Sequence, residues 1–170
     1  MLTSSYNERV PHELSGVCAY LVKHQIISAL QLTQAIEYHQ QLGGRIENVL
    51  VNLGVIQRDD LAPAYAAYLD LPLYSSIQDE VGLSDQILHA IDLNRAYAMG
   101  ALPFKSEPHR IHLAVIDPFN LPIYDYWHEL DFEVSLHICK QAELDALNAQ
   151  LLSLKASGHH VATEYGSELE

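Results

Sequence analysis

Ten histidines and twenty-two carboxylates are the side chains with which this chain could do chemistry, so their spacing is the first thing to weigh. His128-Glu129 opens like a zinc-protease helix, but that chemistry needs a second histidine one turn later, and Phe132 stands there. His109 and His112 lie in or beside a strand-like segment, where a spacing of three points side chains to opposite faces. His159-His160 has no third ligand near it. No native metal or other cofactor is expected. Serine chemistry lacks its Gly-x-Ser-x-Gly elbow. Asp59-Asp60 sits where a helix begins and suits the positive end of its dipole. Asp117 precedes Pro118 and reads as a turn and cap residue. With no convergent set of catalytic groups, the chain is not expected to be an enzyme.

The tyrosines number ten, against three phenylalanines and one tryptophan. Tyrosine suits places where one end of a side chain is apolar and the other wet. Tyr65 and Trp127 read as core residues. Tyr68 and Tyr126 read as surface contacts for a partner.

A formal charge of −13, with nine lysines and arginines, repels a phosphate backbone. Nucleic acid is therefore not expected as a partner, and no basic run marks a membrane-surface patch. Cys18 and Cys139 lie far apart with no Cys-x-x-Cys spacing, as buried thiols of a reducing compartment do. The first residues lack the basic-then-apolar pattern of a signal peptide. No apolar run approaches the roughly 18 residues of a membrane helix. The sequence predicts a cytoplasmic chain without membrane insertion.

The elements that must position these groups begin with a repeat. Residues 16–39 fall in register on residues 45–68. Leu21 lands on Leu50, Ile27 on Ile56, Leu32 on Leu61 and Ala35 on Ala64; Val17 meets Ile46, and Ile26 meets Val55. The apolar positions match while the polar ones drift, as in a helix pair duplicated for packing. Pro11 suits the start of a helix running to about Lys23. Ser28 and Gln31 form a capping box for a second helix carrying Leu32, Ala35 and Ile36. Gly43-Gly44 breaks the chain. A third helix carries Ile46, Leu50 and Leu53 and stops at Gly54. A fourth starts near Gln57, is bent by Pro63, and ends before Leu71-Pro72.

The second half changes period. Residues 74–83 read as a loose connection. Residues 110–117 alternate, with Ile111, Leu113 and Val115 on one face. Residues 132–139 set Phe132, Val134, Leu136 and Ile138 against Glu133, Ser135, His137 and Cys139. Residues 101–105 supply a third strand. Helical stretches present Ile123, Trp127 and Leu130, and then Leu144, Leu147, Leu151 and Leu154. The expected fold class is α+β: a four-helix module over residues 12–73, an α-β-β-α-β-α module over 84–154, and a disordered acidic tail over 155–170.

Residues 45–73 (RIENVLVNLGVIQRDDLAPAYAAYLDLPL) resemble the N-terminal domain of type II secretion and type IV pilus assembly ATPases. Residues 92–118, with their Leu-Pro strand and the Asp117-Pro118 turn, resemble that family's second subdomain. The resemblance spans about residues 14–150 in the right order. The family's motor carries a phosphate-binding loop, and no Gly-x-x-x-x-Gly-Lys-Ser/Thr occurs here. The resemblance thus implies the regulatory module without the motor, as a stand-alone chain or as part of a larger one. The same module also occurs fused to exopolysaccharide machinery.

A subset of the family, the MshEN domains, holds cyclic di-GMP with an Arg-Leu-Gly start in each copy. There the arginine engages a guanine and the glycine allows close approach. Here the second copy keeps Arg45 and Gly54, but Ile46 replaces the leucine and Glu47 the glycine. The first copy has Gly16 at the arginine position, Cys18 at the first glycine and Gln25 at the second. If the ligand bound, Arg45, Ile46, Leu50, Gly54 and Leu61 would be its residues. The departures argue against cyclic di-GMP. The expected function is a non-catalytic adaptor or regulatory module. Its implied partner is a protein of a secretion, pilus or exopolysaccharide-export assembly at the inner-membrane face. The expected docking residues are Arg45, Asn52, Arg58 and Tyr68 on the third and fourth helices, with Tyr126 in the second half.

Overall fold

The computed structural model describes residues 15–76 and 80–164, with backbone alone for 15 and 159–164. It divides into two compact units, one ending at Leu71 and the other beginning at Pro72.

The first unit contains α1 (Ser15–Lys23), α2 (Ala29–Leu42), α3 (Ile46–Asn52) and α4 (Leu61–Leu69). Helix α1 packs on α4, and α2 on α3. The duplication is visible bond by bond. The Ile26 N–H donates to the Leu21 carbonyl at 2.9 Å, and the equivalent Val55 N–H to Leu50 at 3.0 Å. Both turns pass through a left-handed residue, Gln25 with φ 58° in one copy and Gly54 with φ 70° in the other. Glycine adopts that backbone without strain and glutamine does not. The predicted Ser28–Gln31 capping box forms. Its counterpart has Asp60 accepting the Gln57 N–H at 2.8 Å. Val17, Leu21, Ala35, Ile46, Leu50, Leu61 and Ala64 are buried in this core, while Leu32 is half-buried. Pro63 sits nearer a helix start than its sequence context suggests. A short 3-10 turn takes Arg58–Asp60, so the proline falls in the first turn of the α-helix, where its missing N–H costs no bond.

The second unit opens with two short helices, α5 (Asp85–Ala90) and α6 (Leu93–Ala98). Ser84 and Asp92 cap them by accepting the Ile87 and Arg95 N–H groups. Strands β1 (Ala101–Glu107) and β2 (Arg110–Val115) pair antiparallel, and helix α7 (Leu121–Glu129) crosses to β3 (Glu133–Ile138), parallel to β2. The sheet order is β1-β2-β3. The register sets Ile111 beside Val134, Leu113 beside Leu136 and Val115 beside Ile138. Helix α8 runs Gln141–Glu164, beyond the Leu154 limit that its periodicity predicts. Leu144, Leu147 and Leu151 are buried, whereas Leu154 is exposed and Leu130 half-buried. Residues 155–164 of the expected tail are thus helical, and the rest of it lies outside the described residues.

The expected loose connection belongs to the second unit. The Ile138 N–H donates to the Pro72 carbonyl, and the Tyr74 N–H to the Ile138 carbonyl, each at 2.8 Å. The Gly82 N–H donates to Phe104 at 2.7 Å, and Ser106 donates back to Gly82 at 3.1 Å. Tyr74 is buried against the Phe104 ring. Polar composition suggested a linker, but backbone groups decide sheet pairing, and composition does not display them.

Candidate functional site: the two helix starts of the repeat

The chemistry that the repeat could support lies at the starts of α1 and α3. Arg45 is the N-cap residue of α3, with extended backbone, and its side chain gives no cap bond. Its guanidinium Nε instead lies 3.3 Å from Oε1 of Glu47. Glu47 is fully buried in the first turn of α3, where the helix dipole also favours a carboxylate. A buried carboxylate must be paired to persist in a low-dielectric interior, and the arginine supplies the pairing charge.

Cys18 occupies the position equivalent to Glu47. Burial, and then the Glu47 charge, push its thiol up to about 12. The two equivalent side chains therefore feel each other electrostatically. A thiol held so far above neutrality is a poor nucleophile and a poor metal ligand.

Gly16 stands where the first copy would carry its arginine. A Cβ placed there would lie 2.0 Å from Cε2 of Tyr68. The Cδ2–Cε2 edge of the tyrosine ring, on the last turn of α4, thus occupies the space that an arginine side chain would need. In the other copy the equivalent of Tyr68 is His39, whose Nδ1 hydrogen-bonds the carbonyl of Gly44 beside Arg45. The same inter-helix contact is thus made by a ring on a glycine in one copy and by a hydrogen bond in the other.

The expected docking residues fall into two groups. Arg58 and Asn52 are exposed, and the Arg58 Nη1 donates to Oδ1 of Asn48 at 3.1 Å. Tyr68 keeps 38% of its surface exposed while covering Gly16. Arg45 is half-buried. All four belong to the first unit. Tyr126 does not present a surface contact. It is buried in the second unit, where its hydroxyl accepts the Asp92 N–H at 3.1 Å and the Arg95 guanidinium lies 4.8 Å over its ring. Of the residues that a ligand would need, Ile46, Leu50 and Leu61 are fully buried core, and Gly54 has open space around it.

The histidines arrange themselves differently from the sequence spacing. His112 on β2 meets His137 on β3, Nδ1 to Nε2 at 3.4 Å, and not His109. Its Nε2 lies 3.2 Å from Oε1 of Glu107. That hydrogen bond holds the Glu107 carboxyl below its ordinary range. Parallel pairing sets His137 beside Ala114, diagonal to His112 and on the same face. Among the described residues, no three His, Cys, Asp or Glu side chains are placed to hold a metal ion. Nor is any helix among them long and apolar enough to cross a membrane.

Sequence reasoning missed Glu47 as a buried charge and Gly16 as the seat of a tyrosine ring. The departures from the Arg-Leu-Gly pattern flag both positions, but nothing local names what fills the space.

No protein-family model and no curated protein matches the chain. Solved structures do. The structure of MshE with cdg is 21% identical over 79% of this chain and 97% of that one, with a TM-score of 0.62. The N-terminal domain of XpsE in one crystal form is 20% identical over 82% of this chain and 96% of that one, with a TM-score of 0.64. A second crystal form of that domain gives 20% identity and a TM-score of 0.52 over 84% of this chain. The chain therefore has an MshEN-like fold, that of the MshE and XpsE N-terminal domains.

Proposed function

We propose that this chain is a non-catalytic adaptor or regulatory module that docks a protein of a membrane-associated secretion, pilus or exopolysaccharide-export assembly. One observation carries the reading. Where the resemblance would place an arginine and a glycine for a ligand, the protein has put its own side chains: Tyr68 on Gly16, and Glu47 paired with Arg45. What is retained is the packing of the helix pairs, as suits a surface read by its shape. The fold shared with the MshE and XpsE N-terminal domains supports the pathway class. The work site is the cytoplasmic face of the membrane, reached through the partner.

The docking surface is the α3–α4 side, with Arg58 and Tyr68 as anchors. A net charge of −13 favours a basic partner surface and faster association at low salt. The test is capture from native cytoplasm and membranes with the intact chain and with Arg58→Glu, which disturbs only an exposed bond. A membrane-anchored assembly protein is expected on the intact chain, with about tenfold weaker capture on the variant. Equal capture by both would remove the α3–α4 surface. A co-purifying small molecule with no protein partner would remove the adaptor reading.

Arg45 and Gly54 keep a second reading open to measurement, since MshE has been solved with cdg. Calorimetry with cyclic di-GMP is expected to give no dissociation constant at or below about 1 μM. A tighter value, abolished by Arg45→Ala, would make the chain a second-messenger receptor.

A further inference from the structure

Strands β2 and β3 carry His112 and His137 on one face of the sheet of the second unit. The ring planes stand 62° apart, and Nδ1 of His112 lies 3.4 Å from Nε2 of His137. That is long for a hydrogen bond, whose N–H donors sit about 2.7–3.2 Å from their acceptors. Two nitrogens bound to one tetrahedral ion at about 2.0–2.1 Å lie roughly 3.3–3.4 Å from each other. The separation of the imidazoles is that of two ligands on one ion.

The proton on His112 is placed to suit such an ion. Its Nε2 meets Oε1 of Glu107 at 3.2 Å. An ionised carboxylate only accepts, so in the neutral ring Nε2 carries the hydrogen and Nδ1 turns a lone pair toward His137. A ligand histidine whose other nitrogen donates to a carboxylate is the usual arrangement around a bound metal. Both histidines stand on paired strands, and the buried Phe104 ring packs edge-on against His137 at 4.8 Å. Such backing fixes ligand positions before an ion arrives. The His112 side chain keeps 15% of its surface exposed, so an ion in water can reach the pair.

We propose that His112 and His137 form a two-histidine site for a divalent ion of the zinc and copper class, with Glu107 orienting His112. Imidazole suits these ions, whereas magnesium and calcium require oxygen ligands. Among the described residues no third His, Cys, Asp or Glu side chain completes the set. Water therefore fills the other positions, and binding is modest, with a dissociation constant on the order of 10 μM. Lys105 Nζ also lies 3.8 Å from Oε1 of Glu107, so the carboxylate is shared between two donors. The bound ion would tie β2 to β3 through side chains as well as backbone. The inference stands apart from the docking reading, whose residues belong to the first unit.

Calorimetry with zinc chloride on the intact chain, at about pH 7.5 where imidazole is free to ligate, measures the site. One ion is expected to bind at the stated strength and to raise the melting temperature. His112→Gln and His137→Gln should each abolish both effects. Glu107→Gln changes a side chain that is 43% exposed, keeps the fold, and should weaken binding about 10–100-fold. His159-His160 is another imidazole pair in the sequence, so the chain with both changed to alanine is titrated alongside and should bind as the intact chain does. No binding by about 1 mM zinc overturns the proposal. So does binding that survives either histidine substitution, is indifferent to Glu107→Gln, or disappears with His159 and His160.

Discussion

The two copies of the helix pair share a core and differ at their entrances. Val17 and Ile46, Leu21 and Leu50, and Ala35 and Ala64 are buried alike, and the turns close with equivalent hydrogen bonds. At the helix starts the same space is filled by unlike chemistry: at the first entrance Gly16, the Cys18 thiol and the ring of Tyr68 from the second copy, at the other the Arg45–Glu47 pair and His39 from the first. The difference teaches that the core specifies the fold, while each entrance needs only to be filled and electrically balanced. Volume can be supplied by an aromatic ring or by an ion pair.

The comparison is most exposed to test in the cores. Leu21→Ala and Leu50→Ala should each cost about 2–5 kcal/mol, and by similar amounts, since both leucines are fully buried. Denaturant melts showing one of the two to be near neutral would break the equivalence. Next is the entrance of the second copy. Arg45→Ala leaves the buried Glu47 charge poorly compensated and should cost about 2–3 kcal/mol, less than the full penalty of a broken buried pair because Arg45 is partly exposed. Glu47→Gln should recover most of that loss in the Arg45→Ala background. The entrance of the first copy is softer. Gly16→Ala pushes Tyr68 away and should cost about 1–3 kcal/mol as overpacking. In the Tyr68→Ala background the same substitution should be nearly neutral, which a double-mutant cycle reads directly.

The last test is one of pH. The folded protein holds the Cys18 thiol near 12 against an ordinary value of 9.0, so folding favours the protonated thiol. The associated stability is fully present below pH 9 and is lost as pH rises toward 12. Melting temperatures should therefore fall more steeply over that window in the intact chain than in Cys18→Ala. Parallel curves would show that the fold does not hold the Cys18 thiol protonated.

The core was legible in the sequence because apolar spacing is dictated by helix geometry, and the caps because Ser28, Gln31 and Gly54 announce themselves locally. Features set by distant groups were not. Tyr126 reads as a surface residue until a backbone N–H from Asp92 satisfies its hydroxyl and lets it be buried. Pro63 reads as a bend until the 3-10 turn before it moves the helix start. The His112–His137 pair depends on β2–β3 register, which no spacing along the chain encodes.

The pairing of residues 72–74 and of Gly82 with the sheet has a practical consequence. Leu73 bridges to Ile138 on β3, and Gly82 to Lys105 on β1, so both outer strands gain a neighbour. Outer strands with unpaired backbone groups are templates for aggregation. A fragment of the second unit begun at residue 84 would shed both guards and should precipitate or form fibrils. One begun at Pro72 should stay in solution.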